Sequence, residues 1–224
     1  MLSVVIPTRN AGPRFGAVLA ALVPGAMEGL VKEVVIADGG SQDRTLELAE
    51  EAGCRIVACE PGRGGQLRAG CAAARADWLL ALHADTLPGH GWVEAVGDHV
   101  SVHPDKAGYF RHRFDDPSAA ARVWEAGIAL RCRLFAAPYG DQGLLVSRRL
   151  YDEAGGFPDW PLLEDLALVR RLGRRRLRPL DAAVLTAADR YRRDGWVGRT
   201  LRNQAILLRW ALGAAPEDLA RRYG

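Results

Sequence analysis

The chain has 224 residues, enough for one sizeable domain, and its 49 % hydrophobic and 25 % charged residues exclude an extended disordered or fibrous chain. A net charge of +3, from 30 basic and 27 acidic residues, is too small to indicate nucleic acid as a partner. The four cysteines, at 54, 59, 71 and 132, form no CxxC pair and no zinc array, and read as reduced thiols of a cytoplasmic protein.

In chain order, the opening MLSVVIPTRN meets Pro7 too soon for a signal peptide and reads as a buried strand over 2–6. Helical patterns over 14–23, 45–52 and 66–76 then alternate with short apolar runs over 34–37, 55–58 and 78–82. Asp43 caps the second helix and Gly53 supplies its left-handed stop. This β-α-β order predicts parallel strands joined by right-handed crossovers, with ligands bound at the carboxyl ends of the strands. Further on, 109–114 and 144–147 read as strands. Residues 118–134 read as a long helix begun near Asp115, Asp116 and Pro117, and 164–172 as another. From Asp189 onward a helical appendage is expected, with helices over 196–212 and after Pro216. Arg199, Arg202 and Arg209 exclude a membrane span over 196–212. This helix is expected to pack on the domain or on a second subunit in a homodimer; peripheral contact with acidic lipid on the inner face of the membrane is the alternative.

Chemistry-bearing residues collect just after the strands: Pro7, Thr8, Arg9 and Asn10; Asp38, Gly39, Gly40, Ser41, Gln42 and Asp43; His83, Ala84 and Asp85. Between the third strand and its helix lies PGRGGQLRAG, whose glycines suit close backbone approach to a ligand and whose Arg63 and Arg68 suit phosphate. It lacks the lysine and Ser/Thr of a P-loop, and a plain tight turn is the competing reading. Asp85 can ligate Mg2+ or Mn2+ beside substrate phosphates, and His83 suits manganese better than magnesium; the competing role for Asp85 is a turn cap. Glu164 and Asp165 open a helix, where carboxylates commonly offset the dipole; a general base is the functional alternative.

Taken in order, these motifs resemble the inverting glycosyltransferases of family 2, which have the GT-A fold. VVIPTRN resembles that family's opening strand and turn, ADGGSQDRT its DDGSxDxT segment, and GRGGQLRAG its glycine-rich loop. LHADT stands at its DxD metal motif and Glu164-Asp165 at its catalytic base. The resemblance spans about residues 2–172. The whole chain is also similar to a bacterial subgroup of radical-SAM/selenodomain-associated transferases.

The resemblance implies an α/β GT-A fold with a mostly parallel central sheet flanked by helices. It divides the chain into a catalytic domain over 1–188 (nucleotide-binding half 1–88, acceptor-binding half 89–188) and the appendage 189–224. The implied reaction moves a sugar from a nucleoside-diphosphate sugar to an acceptor hydroxyl with Mn2+ or Mg2+. Pro7, Thr8, Arg9, Asp38, Gly39, Arg63, Gly64, Arg68, His83, Ala84 and Asp85 would bind the nucleotide sugar, Asp85 and His83 the metal. Asp165 would be the base and Glu164 would orient the acceptor. Two departures stand out: Gly39 replaces an acidic residue of DDGS, and His83 replaces the first aspartate of DxD.

The arginines at 170, 171, 174, 175, 176 and 178 have no interleaved aromatic residues and read as a solvated helix end, not a nucleic-acid site. His90, His99, His103 and His112 are expected in loops and on the surface. Asp141 and Gln142 carry a weak substrate signal on the acceptor side. A sugar-1-phosphate nucleotidyltransferase is the rival enzyme, disfavoured because PTRNAG has a single glycine. A degenerate nucleotide-binding module is the rival without catalysis.

Overall fold

The computed structural model describes residues 1–223. Its first half follows the predicted alternation: β1 (Leu2–Thr8), α1 (Phe15–Met27), β2 (Val31–Asp38), α2 (Thr45–Glu51), β3 (Arg55–Ala58), α3 (Arg63–Ala73) and β4 (Trp78–Ala81). The order β3-β2-β1-β4 is parallel throughout. Buried on both faces, β1 is a near-continuous apolar run, and its side chains divide by the two-residue period of a strand. Leu2, Val4 and Ile6 pack with α1 in one core, whereas Val5 joins Leu67 and Cys71 of α3 in the other.

The second half adds β5 (Leu87–Pro88), α4 (Trp92–Val102), β6 (Ala107–Phe114), α5 (Ala119–Phe135), β7 (Leu144–Ser147), α6 (Arg148–Glu153), α7 (Glu164–Leu172) and β8 (Leu177–Thr186). Here the sheet becomes mixed: β7 is antiparallel to β4 and β6, β8 is parallel to β6, and β5 is antiparallel to β8. Strand β8 was not expected. Arg174–Arg176 form a 3-10 turn after α7, and Arg178 lies in the strand. Arg170 and Arg171 close α7 in its last turn and all six arginines are exposed, so the solvated helix end holds for these two, while the rest of the run continues into the turn and β8. Arg174 donates to the C-terminal carbonyls of Arg133 and Leu134, and Arg171 to that of Ala154, where such carbonyls lack helical partners.

Two histidines read as surface residues are buried. His99, on α4, shares a 3.0 Å hydrogen bond with the Lys106 carbonyl, and His112, on β6, shares one of 2.8 Å with Thr186 Oγ1. The chain ends in α8 (Asp189–Asp194), α9 (Trp196–Ala211) and α10 (Pro216–Tyr223). Ile206 and Leu219 of the last two bury Leu162, Leu163 and Leu166, the segment that leads into α7. No helix among the described residues is long and apolar enough to cross a membrane.

Candidate active site

The register of β4 with β7 creates the site. Ala81 lies opposite Leu144, so the residues that follow β4 stand beside those that precede β7. The segment following β4 carries His83 and Asp85; the segment preceding β7 is the 3-10 turn Gly140–Gln142. Buried Gln142 locks this turn: its amide donates to the Phe110 carbonyl at 3.0 Å, and its oxygen accepts from Arg131 and from the Tyr139 N–H. Gly140 is wedged between two predicted site residues. Its N–H donates to Asp165 Oδ2, and a Cβ there would stand 2.6 Å from His83 Nε2 and 3.0 Å from Asp165 Oδ2. Gly140→Ala is accordingly expected to cut turnover by more than tenfold while the far-UV spectrum stays native, since the methyl displaces site groups and not the core (roughly 1–3 kcal/mol of overpacking). Wild-type kcat in that variant would show that the turn does not set the site's geometry.

Asp165 is fixed from two sides, because the Leu166 N–H also donates to its Oδ1 at 2.7 Å. It opens α7, where the helix dipole favours a carboxylate. The preceding Leu163 has φ +66°, a left-handed conformation costly for a branched side chain, held by its burial against the C-terminal helices.

Glycines bring α3 against this segment. The predicted glycine-rich loop is in fact the first turn of α3. The Gly64 N–H donates to the Trp160 carbonyl at 3.0 Å, and any Cβ there would overlap the Pro158 and Trp160 backbone. Gly64 thus serves close packing, and its N–H is not offered to a phosphate. The approach sets Arg63 Nε 3.7 Å from Glu164 Oε1. Arg68 is exposed on the α3 flank that carries Gly64 and Gly65.

Glu164, read in the sequence as orienting the acceptor, is fully buried and faces Arg63. Burial first, and repulsion from Asp165 second, push its carboxyl up to about 7 against the pull of Arg63. Among the described residues neither of its oxygens has a hydrogen-bond partner.

His83 feels Arg63, Asp85, Asp141 and Asp165 together. Burial, then Arg63, lower its pKa from the usual histidine value against the three carboxylates, which keeps the imidazole neutral and able to ligate. Asp141, only weakly marked in the sequence, places Oδ2 3.4 Å from His112 Nε2, with Oδ1 buried and without a hydrogen-bond partner among the described residues. Burial raises its pKa, but His112, Arg131 and His83 together outweigh that and hold it at about 2. The signal that could have found it is the pair of glycines around Asp141-Gln142, a turn with no room for side chains at either end.

At the ends of β1 and β2, Thr8 and Asp38 meet, with Thr8 Oγ1 donating to Asp38 Oδ1 at 2.8 Å. Asp38 also accepts from the N–H groups of Gly40 and Ser41 and from the Ser41 hydroxyl, four donors that fill a carboxylate's acceptor positions. Burial raises its pKa and these hydrogen bonds more than reverse that. In this structure Asp38 therefore organises the loop after β2. Asn10 ties that loop to the one after β1, and Arg9 is exposed there, while Pro7 lies within β1 opposite Ala37. At Gly39 a Cβ would stand 3.1 Å from the amide of Gln66, which donates to the Thr8 and Ala37 carbonyls. The glycine that departs from DDGS makes room for this bridge.

Among the described residues no three His, Cys, Asp or Glu side chains form a metal cage. His83 and half-buried Ala84 precede exposed Asp85, and a neutral imidazole with one carboxylate fits an ion whose remaining ligands are substrate phosphate and water.

The family model described as Glycosyl transferase family 2 matches residues 3–155. The chain belongs to glycosyltransferase family 2. It is 33 % identical over 98 residues to a glucosyl-3-phosphoglycerate synthase of Mycolicibacterium paratuberculosis, covering 40 % of this chain and 30 % of that one. It is 34 % identical over 113 residues to the glycosyltransferase AglJ of Haloferax volcanii, covering 48 % and 36 %. The matched stretch thus spans about a third of these relatives' length.

Among solved structures, glucosyl-3-phosphoglycerate synthase from Mycobacterium tuberculosis, in complex with Mn2+, uridine diphosphate and glucosyl-3-phosphoglycerate, superposes with a TM-score of 0.60. It is 23 % identical, over 84 % of this chain and 70 % of that one. TarS of S. aureus with UDP-GlcNAc gives 0.67 at 16 % identity, over 83 % and 58 %. These likenesses establish the GT-A fold of this family 2 chain.

Proposed function

We propose that this family 2 chain is an inverting glycosyltransferase that moves a hexosyl group from a nucleoside-diphosphate sugar to an acceptor hydroxyl. The observation that carries the reading is the meeting of His83, Asp141, Gly140 and Asp165 where the end of β4 lies beside the start of β7, with Arg63 and Asp85 in the same electrostatic group. The Mn2+ and uridine diphosphate bound by the Mycobacterium tuberculosis relative support a uridine nucleotide and a divalent ion here. Residues 1–188 form the catalytic unit in this reading, with the nucleotide in the half 1–88, the acceptor in 89–188, and 189–224 as a supporting appendage in a cytoplasmic protein.

Asp85 and His83 would hold the ion, Mn2+ or Mg2+, which supplies positive charge to the departing diphosphate. Arg63 adds a guanidinium on the same side. Asp165, its carboxylate aimed by the Gly140 and Leu166 N–H groups, takes the proton of the acceptor hydroxyl as that oxygen attacks the anomeric carbon. Attack from the face opposite the leaving group inverts the configuration. Glu164 acts through Arg63, and the loop organised by Thr8 and Asp38 receives the nucleoside.

A panel of nucleotide sugars with Mn2+ tests this. Raised thermal stability with one donor, together with slow release of nucleoside diphosphate, is expected. Pyrophosphate release would instead identify a nucleotidyltransferase, and binding without turnover a degenerate nucleotide-binding module.

A further inference from the structure

We infer that α9, with the neighbouring α5, docks the protein on an anionic lipid surface. Of the 13 large hydrophobic side chains exposed among the described residues, eight lie on these two helices or on Leu212 just after α9. On α9 they are Val197, Leu201, Leu208 and Leu212, each more than 60 % exposed. At about 100° per residue these four fall within roughly 60° of arc, a single stripe. Arg202 and Arg209, both exposed, flank it. On α5 the same pattern recurs, with Val123, Leu130 and Leu134 exposed in one stripe beside exposed Arg122 and Arg133. The helices are joined by Trp124, whose indole N–H donates to the Trp196 carbonyl and to Thr200 Oγ1 at 2.8 Å.

Charge selects the occupant. Helix α9 contains no acidic residue, and the single one of α5, Glu125, is buried and paired with Arg113 and Arg122. Of the carboxylates near the ends of α9, Asp194 pairs with Arg193, Arg199 and Arg202, and Asp218 with Arg221. A two-fold pairing of this face with a second copy would set arginine against arginine, with no exposed carboxylate on either helix to intervene. A lipid headgroup layer of negative charge satisfies both features: the apolar stripe enters the acyl boundary and the arginines remain at the phosphates.

The test uses the full chain and co-sedimentation with vesicles of phosphatidylcholine alone or mixed with phosphatidylglycerol. Binding at least about tenfold stronger to the anionic vesicles, and weakened by salt, is expected for two or more arginines at the surface. The double variant Leu201→Gln with Leu208→Gln should lose that binding, and Arg202→Gln with Arg209→Gln should lose its lipid-charge dependence; both substitute exposed positions, so native melting curves are expected. Failure of the wild-type chain to sediment, or equal sedimentation with both vesicle types, overturns the proposal. So does a dimer in sedimentation velocity that Leu201→Gln with Leu208→Gln dissociates, because a second copy would then cover the face.

Discussion

Asp165→Asn is expected to lower turnover roughly 10²-fold or more, the scale of losing a general base. The substitution keeps the size of the side chain, so donor affinity should hold. One of the two backbone N–H groups that now meet a carboxylate oxygen, Gly140 or Leu166, would face an amide –NH2 instead, which costs about 1–3 kcal/mol. Melting curves register that cost separately from catalysis. Retention of wild-type turnover with an active acceptor would remove Asp165 from the mechanism.

Glu164→Gln should stabilise the protein, and only at the higher pH. The Glu164 carboxyl is raised in the folded state from 4.5 to about 7, so the folded protein resists its ionisation while the unfolded chain does not. Below the unfolded value both states hold the proton and no penalty exists. Stability then falls as pH rises between the two values and stays reduced above the folded one, by about 3 kcal/mol for a displacement of this size. Glutamine cannot ionise, so the variant should melt on the order of 5–10 °C above wild type at pH 8, and the difference should close by about pH 4.5. A pH-independent difference in melting temperature would show that Glu164 does not titrate in this window.

The two predictions concern adjacent residues with opposite surroundings. Asp165 is held by two N–H donors at a half-exposed rim, whereas Glu164 turns inward toward Arg63 and has no hydrogen-bond partner among the described residues. Opposed environments for neighbouring carboxylates are the arrangement that gives a pair two different roles. The segment that holds them is costly to build, since Leu163 adopts a left-handed conformation and Gly64 must give up its side chain to let α3 approach. Burial by Ile206 and Leu219 ties this strained segment to the C-terminal helices, which gives the appendage a reason to exist beside the site.

Local sequence determined the parallel half of the sheet, because β1 is a run buried on both faces and α2 carries its own punctuation in Asp43 and the left-handed Gly53, although the edge strand β3 is only partly buried. It also determined which residues follow the strands, and so named Asp38, His83 and Asp85 by position. Strand β8 was written less plainly: Leu180, Ala182, Val184 and Thr186 are buried in alternation, but Pro179 and two alanines dilute the run, and only pairing with β6 makes it a strand. What tertiary structure alone decided was which groups meet. The antiparallel entry of β7 brings Gly140 and Asp141 to His83, and the glycine contact of α3 brings Arg63 to Glu164. Both depend on pairings between segments dozens of residues apart, where burial and charge act through space and leave no local period in the sequence.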